Sequence, residues 1–491
     1  MKTDEQPARG GPTLWRGFCI LGLLALADLG AVLLFLWSPP FIHYTARQFQ
    51  LFELWSFARI LVWPGVILLL IPWARQAAGR GIALGAFLVV GAWYLTPFQG
   101  WASPSYDYSA WRNGMISHLT VGHPYETHMP DGTVLRPNYW YPPLLAQSLA
   151  VTQQTAEHMQ PWLGRFGRVG GHTPRVLTFY AFQASQHTML LVIFWMLYGF
   201  ARRCRFDRAT AAGLTLGLLT FNVPLYRMFA FHQVNLWMLA GMLGVLLWWD
   251  RRPWAAGAAM ALGFHMKLYP AIMGLPLLLA RRWRVIIWAG IVTLAMALLL
   301  MSRSGWVLWH EFLQAISNPM WGSFPRDNSI HGIAKNILKL FDATQYDREL
   351  TWAFQALLVA WMLSRIIRRE RSWRRAAPPT DTDTDRPARL FMEQSMDTIC
   401  LSFFVSPLVF EHHYILALPV ILWTAATRWP QARGRILTGA ALICLVPVYD
   451  VCPLAWNRIV GLFLLLAARP VQPPPLSPPD APSLAAIFPN D

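Results

Sequence analysis

Charge is scarce in this chain. Asp, Glu, Lys and Arg make up 13% of its 491 residues, and 55% are hydrophobic. Apolar stretches long enough to cross a bilayer recur along the whole length, which identifies an all-α polytopic membrane protein. Cysteine is equally sparse. Cys19, Cys204, Cys400, Cys444 and Cys452 show neither metal-ligand spacing nor the pattern of a disulfide framework. Acidic residues are few, 25 against 41 Lys and Arg, and the net charge of +16 would point to nucleic acid in a soluble chain. The distribution of the basic residues removes that reading. The polar start, MKTDEQPARGGPTLWRG, precedes an apolar run without a small-residue cleavage site, so it reads as a retained signal anchor.

Spans are read at about 16–38, 57–74, 82–98, 179–200, 209–222, 233–249, 254–266, 268–280, 284–302, 350–366, 397–410, 413–427, 434–449 and 454–468, giving 12 to 14 crossings. Residues 51–60 also fit the start of an interfacial amphipathic helix. With residues 1–15 inside and the spans alternating, 26 of the 41 Lys and Arg fall in inside segments and four in short outside loops. That asymmetry obeys the positive-inside rule and puts both termini in the cytoplasm. The membrane domain is then 16–468, with long outer loops at 99–178 and 303–349. An Arg- and Asp-rich cytosolic linker occupies 367–396, and a Pro-rich, disordered tail 469–491. Asp381, Asp383 and Asp385 imitate a metal-binding DxD motif, but between Pro and Arg they read as a solvated charge run.

The same alternation gathers most of the polar clusters on the outer face. Asp107 stands in the first long loop among Tyr106, Tyr108 and Trp111; Tyr139, Trp140 and Tyr141 end its polar stretch. His232, Gln233 and Asn235 open a span, and Lys267 is the tip of an apparent hairpin, GFHMKLYP. Arg326, Asp327, Asn328, Ser329 and His331 lie in the second long loop, and Glu411, His412 and His413 at a turn between apolar arms. Each has a plainer explanation. Asp107 fits a helix cap, Lys267 a snorkelling side chain, and Gln233 with Asn235 interhelical glue. Adjacent His412 and His413 point to different faces and lack a third ligand, so no metal is expected. Ionisable groups at membrane depth are costly and usually face a cavity, so their coincidence on one side points to one shared site.

Six motifs in order, the outer loop with its Asp-aromatic start and GHPYE, NYWYPPLLAQSLA, FHQVNLWMLAGMLGVLL, GFHMKLYPAIMGLPLLLARRWR, DNSIHGI and SPLVFEHHYILALPVIL, resemble glycosyltransferase family 87 of the GT-C superfamily over about 80–470. That family includes polyprenol-phosphate-mannose-dependent α-mannosyltransferases and related arabinofuranosyltransferases. The resemblance implies a GT-C-type fold in the cell membrane with its active site on the outer, periplasmic or extracellular, face. It implies a polyprenyl-phosphate-linked sugar donor, a glycolipid or glycan acceptor, and an Asp base at the position of Asp107. This chain departs from the family in having Glu411 where Asp is frequent and Asp327-Asn328-Ser329 where an NQS-like triplet stands.

The chemistry asked of such a site fits the residue types. One carboxylate suffices for an inverting displacement, with Asp107 taking the acceptor proton. The departing phosphate needs cations or donors, for which Lys267, His412, His413, Arg227 and Arg326 are candidates, so neither metal nor cofactor is expected. Tyr106, Tyr108, Trp111, Tyr139, Trp140 and Tyr141 are candidates to stack on sugars. His232, Gln233, Asn235, Asn328, Ser329, His331 and Glu411 are candidates for further substrate contacts. Competing readings are an arabinofuranosyl donor, a ligase for preassembled glycans, a lipid-linked-sugar transporter, and a non-catalytic scaffold. A transporter predicts inverted repeats and mid-bilayer polar groups, and neither is evident.

Overall fold

The computed structural model describes residues 83–90, 105–125, 127–128, 134–135, 139–163, 173–304, 306–317, 327–339, 341–375, 386–406, 408–446 and 456–472. The spans expected at 16–38 and 57–74, most of 82–98, Arg326, Asp381, Asp383, Asp385, most of the tail and the Tyr106 side chain lie outside these residues.

The described chain is helical throughout, apart from two antiparallel two-residue strands, Thr127–His128 and Val134–Leu135. The helices are α1 (Tyr106–Val121), α2 (Pro143–Leu163), α3 (Pro174–Arg203), α4 (Arg208–Thr220), α5 (Val223–Ala230), α6 (Asn235–Trp248) and α7 (Pro253–Met266). After a 3-10 turn at Tyr269–Met273 come α8 (Gly274–Leu279), α9 (Trp283–Ser304), α10 (Val307–Ser317), α11 (Ile330–Lys339), α12 (Asp347–Arg375) and α13 (Arg386–Val405). A further 3-10 segment, Glu411–Ala417, leads into α14 (Leu418–Cys444), and α15 (Asn457–Ala468) follows.

Local chemistry sets the breaks. The Asp207 side chain accepts the Thr210 N–H at the start of α4. Asn222 caps α5 by accepting from Leu225 N–H and reaches back to the Leu218 carbonyl, stitching α4 to α5 across a 51° bend. Two expected spans, 413–427 and 434–449, belong largely to one helix, α14, broken where Pro430 removes a backbone donor and Ala432 leaves helical geometry.

Among the described residues, α3 and the segment Thr344–Arg375 each suffice by length and apolarity to cross a bilayer, and the α4–α5 pair passes the same test only when its two bent halves are taken together; several other apolar helices are shorter. Leu294, Leu298 and Leu299 on α9 and Leu357 on α12 are more than half exposed, an arrangement that suits hydrocarbon rather than water. Between helices, small residues permit close crossing. A Cβ on Gly461 of α15 would stand 2.8 Å from the Gly439 carbonyl oxygen of α14, and one on Gly257 of α7 would stand 2.6 Å from the Ala289 amide of α9.

Residues 367–375 and 386–396, expected to belong to a flexible linker, are helical ends of α12 and α13. They are held by a buried ionic cluster. Asp397 accepts from Arg365, Arg369 and Arg469 at 3.2, 3.0 and 2.8 Å, and Glu393 pairs with Arg369 and Arg469 at 3.1 and 3.2 Å. Arg365 and Arg369 also donate to the carbonyls of Arg469 and Pro470, fastening the chain beyond α15.

Gly461→Leu should lower thermal stability in detergent by about 1–3 kcal/mol through overpacking at the α14–α15 crossing. Gly290→Ala, where a Cβ meets nothing within 4 Å, should leave the melting temperature unchanged.

Candidate active site

Asp107 occupies the first turn of α1. Ser105 caps that helix, its hydroxyl accepting from Tyr108 N–H at 3.2 Å and donating to the Phe231 carbonyl at 2.8 Å. The Ser105 N–H donates to Nδ1 of His232 at 3.2 Å. The cap is therefore Ser105, and the Asp107 carboxylate is turned elsewhere. Gln233 Nε2 donates to its Oδ2 at 2.7 Å, and the Tyr141 hydroxyl donates to Gln233 Oε1 at 3.0 Å. An ionised carboxylate only accepts, so this chain of bonds fixes the amide with its nitrogen toward Asp107.

Lys267 follows α7 in extended backbone, at the tip between α7 and the first 3-10 turn. Its Nζ is 2.7 Å from His413 Nε2 and 5.3 Å from the centre of the Tyr141 ring. On its other side the His413 ring accepts the Phe410 N–H through Nδ1 at 3.0 Å, and the Phe410 carbonyl lies 3.2 Å from the same nitrogen. Tyr269 stacks on His413 at 5.4 Å and donates its hydroxyl to Ser406. Asn235 Nδ2 donates to the His412 carbonyl at 3.1 Å; Asn235 Oδ1 and His412 Nε2 are buried without a hydrogen-bond partner.

Asp107 and Lys267 thus each meet a neutral side chain and act on one another through space. Both stand at helix ends outside the apolar runs. Burial raises the Asp107 carboxyl above its usual range, against the Gln233 hydrogen bond and the Lys267 charge. Burial pushes the Lys267 ammonium down to about 8, against the attraction of Asp107.

The remaining candidates separate into groups. Tyr108, Trp111 and Tyr139, expected to stack on sugars, are packed in an aromatic cluster under α1. Tyr108 meets Phe179 at 4.8 Å, Trp111 meets Phe182 at 5.2 Å, and the Tyr139 hydroxyl is tied to Pro142 and Ala146. Tyr141 and Trp140 remain half-buried at the margin. Glu411 and Arg227, expected to contact substrate and phosphate, contact one another at 3.4 Å, and Arg458 of α15 closes on the same carboxylate. Asp327 accepts from Ser329 N–H and hydroxyl and from Val409 N–H. Asn328 N–H donates to the Val409 carbonyl, and His331 sits 3.8 Å from Asp327. The DNSIHG segment is in this way the start of α11 docked beside the 411–413 turn. Among the described residues, no three His, Cys, Asp or Glu side chains are grouped as metal ligands.

Ser105, Tyr269, Ser406 and Arg458 were absent from the sequence-level candidates. Arg458 alone carried a signal there, as a single basic residue inside an apolar run.

Residues 139–383 match the family model described as glycosyltransferase family 87. That segment contains Tyr141, Gln233 and Lys267 but neither Asp107 nor the 411–413 turn. The chain is also similar to a polyprenol-phosphate-mannose-dependent alpha-(1-2)-phosphatidylinositol mannoside mannosyltransferase of Mycobacterium tuberculosis (strain ATCC 25618 / H37Rv). Identity is 26% over 261 residues, covering 49% of this chain and 54% of the relative. The match thus spans about half the length of each protein. No solved structure matches significantly.

Glu411→Leu strands two buried guanidiniums and should cost about 3–5 kcal/mol in thermal unfolding, whereas Glu411→Asp should recover part of it.

Proposed function

Because the chain belongs to glycosyltransferase family 87, we propose that it transfers mannose from a polyprenyl-phosphate donor to a hydroxyl of a glycolipid or glycan acceptor, with inversion at the anomeric carbon. The reading includes a GT-C-type arrangement of 12 to 14 spans, cytoplasmic termini and an active site on the outer face. The observation that carries it is the juxtaposition of a half-buried carboxylate, oriented by Gln233, with a half-buried ammonium whose hydrogen bond goes to a neutral ring instead.

The separation matters. A carboxylate locked to an ammonium would be a structural ion pair with its basicity spent. Here Oδ2 of Asp107 is held by a neutral amide, and Oδ1 serves the acceptor. As the acceptor hydroxyl attacks the anomeric carbon, its proton passes to Asp107. The bond from that carbon to the phosphate oxygen breaks with its electron pair going to the phosphate, and Lys267 meets the charge that develops there. His413 orients Lys267, and His412 offers a buried ring nitrogen beside it.

Purified protein in nanodiscs, given short-chain polyprenyl-phosphate-mannose and a glycolipid acceptor, should consume donor. Asp107→Asn should fold and insert normally but lose about 10²- to 10⁴-fold in rate, the usual worth of a general base. A wild-type rate in that variant removes Asp107 from the base role, and turnover of an arabinofuranose donor in place of mannose corrects the sugar.

The pH profile tests both charges. Asp107 works deprotonated, so activity should fall as pH drops through a value above the ordinary carboxylate range. Lys267 works protonated, so activity should fall again as pH rises past about 8. Lys267→Arg should move only the alkaline limb, upward; a profile flat across pH 7–10 excludes Lys267 as the phosphate's cation.

A further inference from the structure

His232 departs from the rules of its position. It follows α5 with φ of +59°, the left-handed conformation that glycine adopts freely and that side chains adopt rarely, Asn, Asp and His the most often among them. Its N–H bonds the Phe229 carbonyl, and the next N–H, of Gln233, bonds the Met228 carbonyl at 2.9 Å. This is the helix-ending motif in which glycine normally takes the left-handed place. Nothing in the backbone asks for an imidazole.

What the imidazole does is reach α1. Its Nδ1 accepts the Ser105 N–H, at the residue that caps the helix carrying Asp107. Its ring lies against Phe179 at 5.1 Å and Tyr108 at 6.1 Å. The left-handed turn also sets the direction in which Gln233 leaves α5, toward Asp107 Oδ2. One residue in a left-handed turn therefore fixes both the start of the helix that bears the carboxylate and the amide that orients it.

We infer that His232 is a positioning residue for Asp107, holding the base through Ser105 on one side and Gln233 on the other, rather than a substrate ligand. The inference rests on the proposed role of Asp107, but its structural half is testable without turnover. Glycine adopts the left-handed turn freely and offers no acceptor. Asparagine tolerates the turn, and its Oδ1 occupies the place of Nδ1, two bonds from Cβ.

Three proteins, wild type, His232→Gly and His232→Asn, should be compared in nanodiscs. His232→Gly should melt somewhat lower than wild type, because the loss of a buried ring and of the acceptor for Ser105 N–H outweighs the relief of the turn. Its amides at 108–110 should exchange faster by about tenfold or more. Its kcat should fall by about 10- to 100-fold, as expected for a misplaced group, with donor KM nearly unchanged. His232→Asn should restore exchange protection and most of kcat. Unchanged exchange in His232→Gly overturns the inference, as does full activity in that variant, or an Asn variant no better than Gly. Wild type inert toward every lipid-linked donor, with the exchange pattern as expected, counts instead against the transferase reading.

Discussion

The Glu411 carboxylate lies between guanidiniums from α5 and α15, and the geometry of the site descends from that arrangement. An unpaired charge in an apolar bundle is prohibitively costly, so Arg227, Glu411 and Arg458 hold their elements together. The turn thus anchored carries His412 and His413. His413 determines where the Lys267 ammonium points, and Asn235 secures the backbone of the same turn. The DNSIHG segment braces it from the other side through Val409. The catalytic candidates supply little of this rigidity themselves.

The two ends of the chain's ionic inventory differ in kind. Around Asp397 and Glu393, Arg365, Arg369 and Arg469 bond directly to the carboxylates. At Asp107 and Lys267 the opposite charges are kept apart by neutral intermediaries. Direct pairing makes a fastening; without a direct partner of opposite charge, burial lifts the Asp107 carboxyl and lowers the Lys267 ammonium.

Hydropathy made the helical class legible, and α3, α6 and α9 stand close to where their apolar runs place them. The alternation of spans also anticipated that Asp107, Gln233, Lys267 and His413 share one region. Pairings over long sequence distances were not legible. Residues 367–375 read as part of a linker because Arg369 finds its carboxylate, Asp397, on another helix and its carbonyl partner, Pro470, a hundred residues away. Tyr108, Trp111 and Tyr139 looked like sugar platforms because an aromatic residue near an interface serves equally well as core, and only packing separates the two. Asp107 read equally as a cap, until Ser105 was seen to fill that position.

The bond from Gln233 to a single oxygen of Asp107 bears on regiochemistry. A carboxylate free to rotate presents four lone pairs and can deprotonate whichever neighbouring hydroxyl is most acidic or most accessible. One held through Oδ2, with its amide partner itself fixed by Tyr141, presents the lone pairs of Oδ1 along one direction. A sugar ring bears several hydroxyls of nearly equal intrinsic reactivity. With Asp107 in the proposed role of base, the choice among them would fall to the direction of one oxygen, and the linkage made would be a property of the protein scaffold rather than of the acceptor.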